Sequence, residues 1–331
     1  MMLAIRVDEP GGPEVLKVVE VPEPFLKPGT ILVDVHAVGV NFLDIHLRRG
    51  IHPRGNESVP MPFFPGDEGV GIVRAVAEDV TGFVPGDRVG WILGEACYAE
   101  VVAAPAAFTV KIPAEVDIET GLVLAQGLTA HYLAHDIAPI KEGTPVLVHA
   151  AAGGVGLLLT QILKIRGAKV IAAVSSAEKA EAARAAGADE TILYSDQDFA
   201  GSVRCLTEGK GVSVVYDGVG RDTFELSLAS IRRRGFFVLF GAASGAVESI
   251  DPRVLQRAGS ISFSRPGLRD FIENRDILQD RADDLFKWIS DKRLNVEIGR
   301  KFALAEAAES HRALESRAAI GKQILVCPAG S

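Results

Sequence analysis

Short runs of mixed apolar and polar residues, cut by proline and glycine, fill the first part of the chain. Residues 15–21 and 30–38 are two such runs, split by Pro22, Pro24, Pro28 and Gly29. Residues 70–77 and 87–93 are two more, separated by the turn at Pro85, Gly86 and Asp87. Short strands punctuated this way predict a barrel-like antiparallel domain up to about residue 125. One short helix over 41–49 interrupts it, with Phe42, Ile45 and Arg49 at helical spacing and Gly50 as its stop. From 118 to 139 the period becomes helical, with Leu122, Ala125, Leu128, Tyr132 and Leu133 on one face.

From Thr144 strand and helix patterns alternate. Strands are predicted over 146–149, 169–174, 191–194, 212–216 and 236–240, with a sixth over 261–263. Helices over 155–166, 177–186, 199–206 and 223–231 lie between them. This alternation predicts a parallel sheet covered on both faces, an α/β doubly wound fold with its ligand at the carboxyl ends of the strands. Beyond Arg265 and Pro266 come helical patterns over 269–289 and 304–314 and a last strand over 323–326. That tail is short for a third domain and is expected to fold back on the first. The expected division is a β-rich domain over 1–125, a nucleotide-binding domain over 126–264 and a returning segment over 265–331.

The stretch 146–156 organises this reading. An apolar strand stops at a run of small residues, and Ala151, Gly153 and Gly156 fall with the spacing of a dinucleotide-binding turn. The first small residue allows the tight turn, the second lets backbone approach a pyrophosphate, and the third lets helix pack on strand. The N–H groups that open the helix then face the anion.

Composition narrows the function classes. A formal net charge of -8 over 331 residues argues against nucleic-acid binding, which needs a basic footprint. The one dense basic cluster, Arg232, Arg233 and Arg234, is read as the charged end of a helix before Gly235. No apolar run reaches membrane-spanning length, and residues 1–10 lack a signal-peptide core. Cys97, Cys205 and Cys327 are far apart, with no CxxC pair, and are read as packing residues of a cytoplasmic protein.

The end of the second predicted strand discriminates between cofactors. NAD-type folds place an acid there, about 20 residues past the glycine turn, to hold the ribose hydroxyls. Here the sequence offers Ser175, Ser176 and Lys179 instead. Hydroxyls, a helix start and a cation suit a 2′-phosphate, so NADPH is expected over NADH. Ser175 and Ser176 also fit plain helix capping, and Glu178, the objection, is expected to point to solvent. Tyr194, at the end of the third strand, is placed to wall the same pocket.

Beyond these motifs the chain resembles the medium-chain dehydrogenase/reductase superfamily, and within it the zinc-independent quinone oxidoreductases of the zeta-crystallin type. The resemblance rests on 11–16 (GGPEVL), 39–44 (GVNFLD), 84–89 (VPGDRV), 127–130 (GLTA), 149–156, 215–222 (VYDGVGRD), 264–266 (SRP) and 314–317 (LESR). It implies a GroES-like barrel beside a Rossmann nucleotide domain, and a homodimer through edge strands, with 261–263 as the candidate edge. Zinc-dependent relatives carry a cysteine near the position of Asn41 and a histidine where Asp67 stands, so no zinc is expected; Asp67 and Glu68 are read as a turn or barrel-edge ion pair. The resemblance places Asn41, Phe42, Asp44 and His46 near the nicotinamide, with His46 where many members have tyrosine. It places Thr129, Gly153, Gly154, Val155, Gly241, Ser244, Arg265 and Arg317 at or near the cofactor. His131, His135, His149 and His311 are read as structural.

Without a Lewis acid, alcohol dehydrogenation is disfavoured, and acceptors that take hydride directly remain. The leading expectation is an NADPH-dependent quinone reductase. The nearest rival is an NADPH-dependent enoyl or alkenal reductase, since the sequence shows no dedicated acid beyond His46 and water. A cofactor-bound structural or RNA-associated protein is the non-enzymatic alternative, and the acidic balance weighs against RNA.

Overall fold

The computed structural model describes residues 1–52, 58–195 and 198–327. In chain order the first part holds β1 (Met2–Val7), β2 (Leu16–Val21), β3 (Thr30–Val40), α1 (Phe42–Arg48), β4 (Gly69–Val76), β5 (Arg88–Trp91), β6 (Val101–Pro105), β7 (Thr109–Lys111) and α2 (Leu124–His135). The middle holds β8 (Pro145–His149), α3 (Gly154–Ile165), β9 (Lys169–Val174), α4 (Ala177–Ala185), β10 (Glu190–Leu193), α5 (Phe199–Leu206), β11 (Val212–Asp217), α6 (Phe224–Ser230), β12 (Ile231–Leu239), α7 (Pro252–Arg257) and β13 (Ser262–Ser264). The tail holds α8 (Arg275–Ser290), β14 (Ile298–Ala303), α9 (Ala307–Glu315) and β15 (Lys322–Val326).

Two compact units result: residues 1–125 with 274–290 and 296–331, and residues 126–273 with 291–295. In the first, β14, β15, β3, β4, β5 and β7 are hydrogen-bonded in that order, and β6 also pairs with β3. The tail enters this sheet because β15 pairs antiparallel with β3, Gln323 opposite Val40 and Val326 opposite Ala37. Alternate side chains of β3, among them Ile31, Val33 and Val35, join Trp91, Tyr98, Phe302 and Leu325 in one core. The helix α1 begins where the Asp44 carboxylate accepts the Asn41 backbone N–H at 2.8 Å, half of a capping box.

In the second unit the parallel order is β10-β9-β8-β11-β12-β13, the doubly wound arrangement. Reversal of strand order between β8 and β11 opens a crevice at their carboxyl ends, beside the turn after β8. The core packs Leu147, Ile171, Val215 and Phe237 against Phe199, Val203 and Leu228 from α5 and α6. No helix among the described residues is long and apolar enough to cross a membrane.

Several expectations need correcting. Arg232, Arg233 and Arg234 do not end a helix; they lie in β12, which starts at Ile231. Pairing with β11 shifts register there, and Arg234 adopts φ 57° and donates its N–H to the Gly259 carbonyl at 2.8 Å. The bulge lets three exposed arginines sit at a strand start. Cys205 is exposed on α5, whereas Cys97 and Cys327 are buried. The helix expected over 269–289 begins only at Arg275, because the Asn274 side chain accepts the Ile277 N–H at 3.0 Å and restarts the chain as a cap.

Candidate functional site

The nucleotide turn is built as its small residues dictate. β8 ends at His149, Ala150 takes the left-handed conformation at φ 50°, and the Gly153 N–H closes on the Ala150 carbonyl at 2.9 Å. A Cβ on Gly156 would lie 2.7 Å from the Ala151 Cα and overlap the Ala150 carbonyl, so only glycine lets α3 seat on the turn. A Cβ on Gly154 would run into the Gln126 amide, while among the described residues one on Gly153 would meet only the Ala150 carbonyl, at 3.3 Å. The Gly153 backbone is therefore open on its outer side, and the N–H groups of Gly154 and Val155 open α3 without intrahelical acceptors. Such an arrangement is able to cradle a pyrophosphate.

At the end of β9 the expected trio converges. Lys179 Nζ donates to Ser175 Oγ at 3.2 Å, and Ser176 caps α4 by accepting the Lys179 N–H at 3.3 Å. Partial burial holds the Lys179 ammonium below its ordinary pKa, with Glu178 opposing. Glu178 itself is exposed. Tyr194 reaches the turn from the end of β10, its hydroxyl accepting the Ala150 N–H at 2.8 Å. These donors fit a phosphorylated ribose.

The remaining nucleotide-side residues differ in kind. A Cβ on Gly241 would lie 2.8 Å from the Gly218 Cα, so its glycine serves the close approach of two loops. Ser244 is buried; its hydroxyl accepts the Asp222 N–H at 3.0 Å and donates to the Val219 carbonyl at 2.9 Å. Its one proton and one lone pair are used inside the loop, so Ser244 braces the crevice. Arg265 follows β13 and is exposed. Thr129 is half-buried on α2. Arg317 belongs to the other unit, exposed after α9 at φ 54°.

In the first unit Asn41 and Asp44 anchor a buried polar network, with Phe42 and His46 half-buried on the same helix. The Asn41 amide donates to Glu68 Oε1 at 2.7 Å. That same oxygen takes the Lys322 ammonium at 2.5 Å, in an ion pair with side chains 2% and 1% exposed. Gly39 makes room for it, since a Cβ there would overlap the Glu68 carboxylate. Glu68 is therefore in a buried pair reaching across to β15, not at a barrel edge. Asp44 does not face outward either: it is fully buried and accepts the Tyr98 hydroxyl at 3.1 Å. Tyr98 meets His311 Nε2 at 3.2 Å, and Arg48 Nη1 meets His311 Nδ1 at 3.2 Å. Arginine can only donate, so His311 Nδ1 accepts and its proton sits on Nε2. Arg48 also holds Glu315 at 2.7 Å.

The electrostatics follow from this packing. Burial, and then the neighbouring Asp67 charge, push the Asp44 carboxyl well above its usual range. Burial and the adjacent Glu68 raise Asp67 to about 6, against the pull of Lys322 and Asn41. Burial and the Arg48 charge lower His311 to about 3, consistent with a neutral ring. Sequence reasoning missed Glu68, Lys322, Tyr98, Arg48 and His311 as one network. Among the described residues no three His, Cys, Asp or Glu side chains group to hold a metal ion.

Comparison with known proteins bears on both units. Residues 27–114 match the alcohol dehydrogenase GroES-like domain family, and residues 154–279 match the zinc-binding dehydrogenase family. A quinone oxidoreductase of Pseudomonas aeruginosa is 40% identical over 318 residues, covering 96% of this chain and 97% of that protein. The chain belongs to the quinone oxidoreductase family of the medium-chain dehydrogenases/reductases. Within that family, the Escherichia coli quinone oxidoreductase, solved in complex with NADPH, superposes with a TM-score of 0.94 at 37% identity, covering 98% of this chain and 99% of that one. A Burkholderia 2-haloacrylate reductase is 38% identical, covering 98% of this chain and 99% of that protein. A GroES-like domain with a Rossmann-type parallel sheet is thus both the observed fold and that of the family.

Proposed function

We propose that the chain is an NADPH-dependent quinone reductase. The observation that carries the cofactor choice is the convergence of Ser175, Ser176 and Lys179 at the end of β9, where an NAD-type site needs an acid. When bound, NADPH supplies the hydride. The chain supplies the rest: the Gly153–Val155 backbone for the pyrophosphate and the Ser175–Lys179 cluster for the 2′-phosphate. Asn41 and His46 serve the acceptor, Asn41 with its amide fixed by Glu68 and His46 as a donor to the reduced oxygen. Asp44 acts from beneath as a positioning residue. Thr129, Arg265 and Arg317 contribute further cofactor contacts.

A relative that reduces a 2-haloacrylate supports a second reading, a conjugated double-bond reductase on the same scaffold. In that reaction hydride reaches the β-carbon and a proton reaches the α-carbon. The deciding experiment is NADPH oxidation against a panel of para-quinones, ortho-quinones, enones and 2-haloacrylates. Turnover confined to quinones supports the first reading, and turnover confined to enones or 2-haloacrylates transfers the assignment to the second. No turnover on any acceptor refutes both and favours the non-enzymatic alternative. A cytoplasmic homodimer joined through the edge strand β13 completes the proposal, and size-exclusion chromatography with light scattering tests the dimer.

A further inference from the structure

Beneath the nucleotide turn lies a second buried network that the proposed chemistry does not use. Its centre is His149, fully buried at the end of β8. Its Nδ1 lies 3.2 Å from the Tyr194 hydroxyl and its Nε2 lies 3.1 Å from Ser227 Oγ. Ser227 donates on to Asp217 Oδ2 at 2.7 Å. Asp217 is also fully buried and takes the N–H groups of Val219 and Gly220 and the Thr223 hydroxyl. The rings of His149, Tyr194 and Phe199 stack at 5.7–6.1 Å between centroids.

The direction of every hydrogen bond is forced from one end. The Asp217 carboxylate accepts the one Ser227 proton, so Ser227 Oγ accepts from His149 Nε2, and the neutral ring accepts at Nδ1 from the Tyr194 hydroxyl, whose oxygen also takes the Ala150 N–H. A ring that accepts at Nδ1 carries its proton on Nε2, and that proton goes to Ser227 Oγ. Ser227 then spends its proton on Asp217. Burial lowers the affinity of His149 for a second proton, in keeping with this single tautomer.

We infer that His149 is a positioning residue that clamps the Ala150 turn of the nucleotide site to the buried carboxylate of Asp217, through Tyr194 on one side and Ser227 on the other. Ala150 is a non-glycine residue at φ 50°, a conformation that persists only where surrounding contacts hold it. The chain of donors supplies that hold from strand ends β8, β10 and β11 and from α6. It fixes the direction in which the Gly153–Val155 backbone presents its N–H groups. This inference rests on the nucleotide-site reading and adds residues to it.

The test measures NADPH binding directly by fluorescence titration, alongside steady-state KM and kcat, in the full-length chain. His149→Leu removes both ring partners, Ser227→Ala removes one, and His149→Asn keeps an amide oxygen in the place of Nδ1. The expected result for His149→Leu is NADPH Kd and KM raised about tenfold, the scale of one lost buried hydrogen bond, with kcat at saturating NADPH within about twofold. Ser227→Ala should show a smaller rise of the same kind, and His149→Asn should recover most of the loss. Unchanged Kd in all three variants, or equal losses in kcat and affinity with no rescue by asparagine, overturns the inference. Absence of NADPH binding by the unaltered chain would instead refute the nucleotide-site reading.

Discussion

Replacing Lys322 with methionine probes how the first unit holds its acceptor-side residues. The ammonium is 2% exposed and its partner Glu68 is 1% exposed, so water cannot solvate the carboxylate once the lysine is gone. Among the described residues Glu68 would keep the Asn41 amide at 2.7 Å and the Ala125 N–H at 3.3 Å. Removing one partner of a buried pair costs about 3–5 kcal/mol, against about 0–1 kcal/mol for an exposed pair. Chemical denaturation followed by tryptophan fluorescence reads the first unit directly, since Trp91 and Trp288 both belong to it. The double variant Lys322→Met with Glu68→Leu should recover most of the stability, because it removes the charge left unpaired at Glu68. A cost below about 1 kcal/mol for the single variant, or no recovery in the double variant, would refute the reasoning.

Two further predictions follow from the same geometry. Gly156→Ala places a methyl 2.7 Å from the Ala151 Cα, so stability should fall by about 1–3 kcal/mol or more, and NADPH titration should show binding weakened beyond tenfold. Asp67→Asn should stabilise the protein near neutral pH: the rise of Asp67 from 3.8 to about 6 corresponds to about 3 kcal/mol at most, at ~1.4 kcal/mol per pH unit. A carboxyl raised in the folded state contributes its stability fully below about pH 4 and loses it as pH rises through about 6. The stabilising effect of Asp67→Asn, measured by urea unfolding at several pH values, should therefore grow across that interval and stay flat above it.

The parts of the molecule readable from sequence are those whose physics is local. The β8 turn is written in consecutive small residues, and the Ser175–Lys179 cluster lies within one helix start, so spacing places both. The order of strands in the second unit follows from alternation of strand and helix together with right-handed crossovers. The acceptor-side network is different. Lys322 pairs with Glu68 across 254 positions and Tyr98 meets His311 across 213, and no periodicity encodes such pairings. Asp44 illustrates the consequence: resemblance placed it near the nicotinamide, yet packing turns its carboxylate inward to Tyr98 and the Asn41 N–H. His149 and His311 read as structural because no nucleophile stands near them in sequence, and their partners come from distant strands and helices. The arginine run was misread because a β-bulge at the start of β12 has no signal beyond Gly235.

The central claim is that the chain selects NADPH through the cluster at the end of β9. It is tested most directly by kcat/KM for NADPH and NADH with one para-quinone, in wild type and in Lys179→Ala. A charge-assisted contact to the 2′-phosphate is worth about 1.5–3 kcal/mol, or about 10- to 150-fold. Wild type should prefer NADPH by at least that factor, and the preference should collapse in Lys179→Ala through loss of NADPH efficiency while NADH efficiency stays within about twofold. Equal use of the two cofactors by wild type, or a preference untouched by Lys179→Ala, would contradict it.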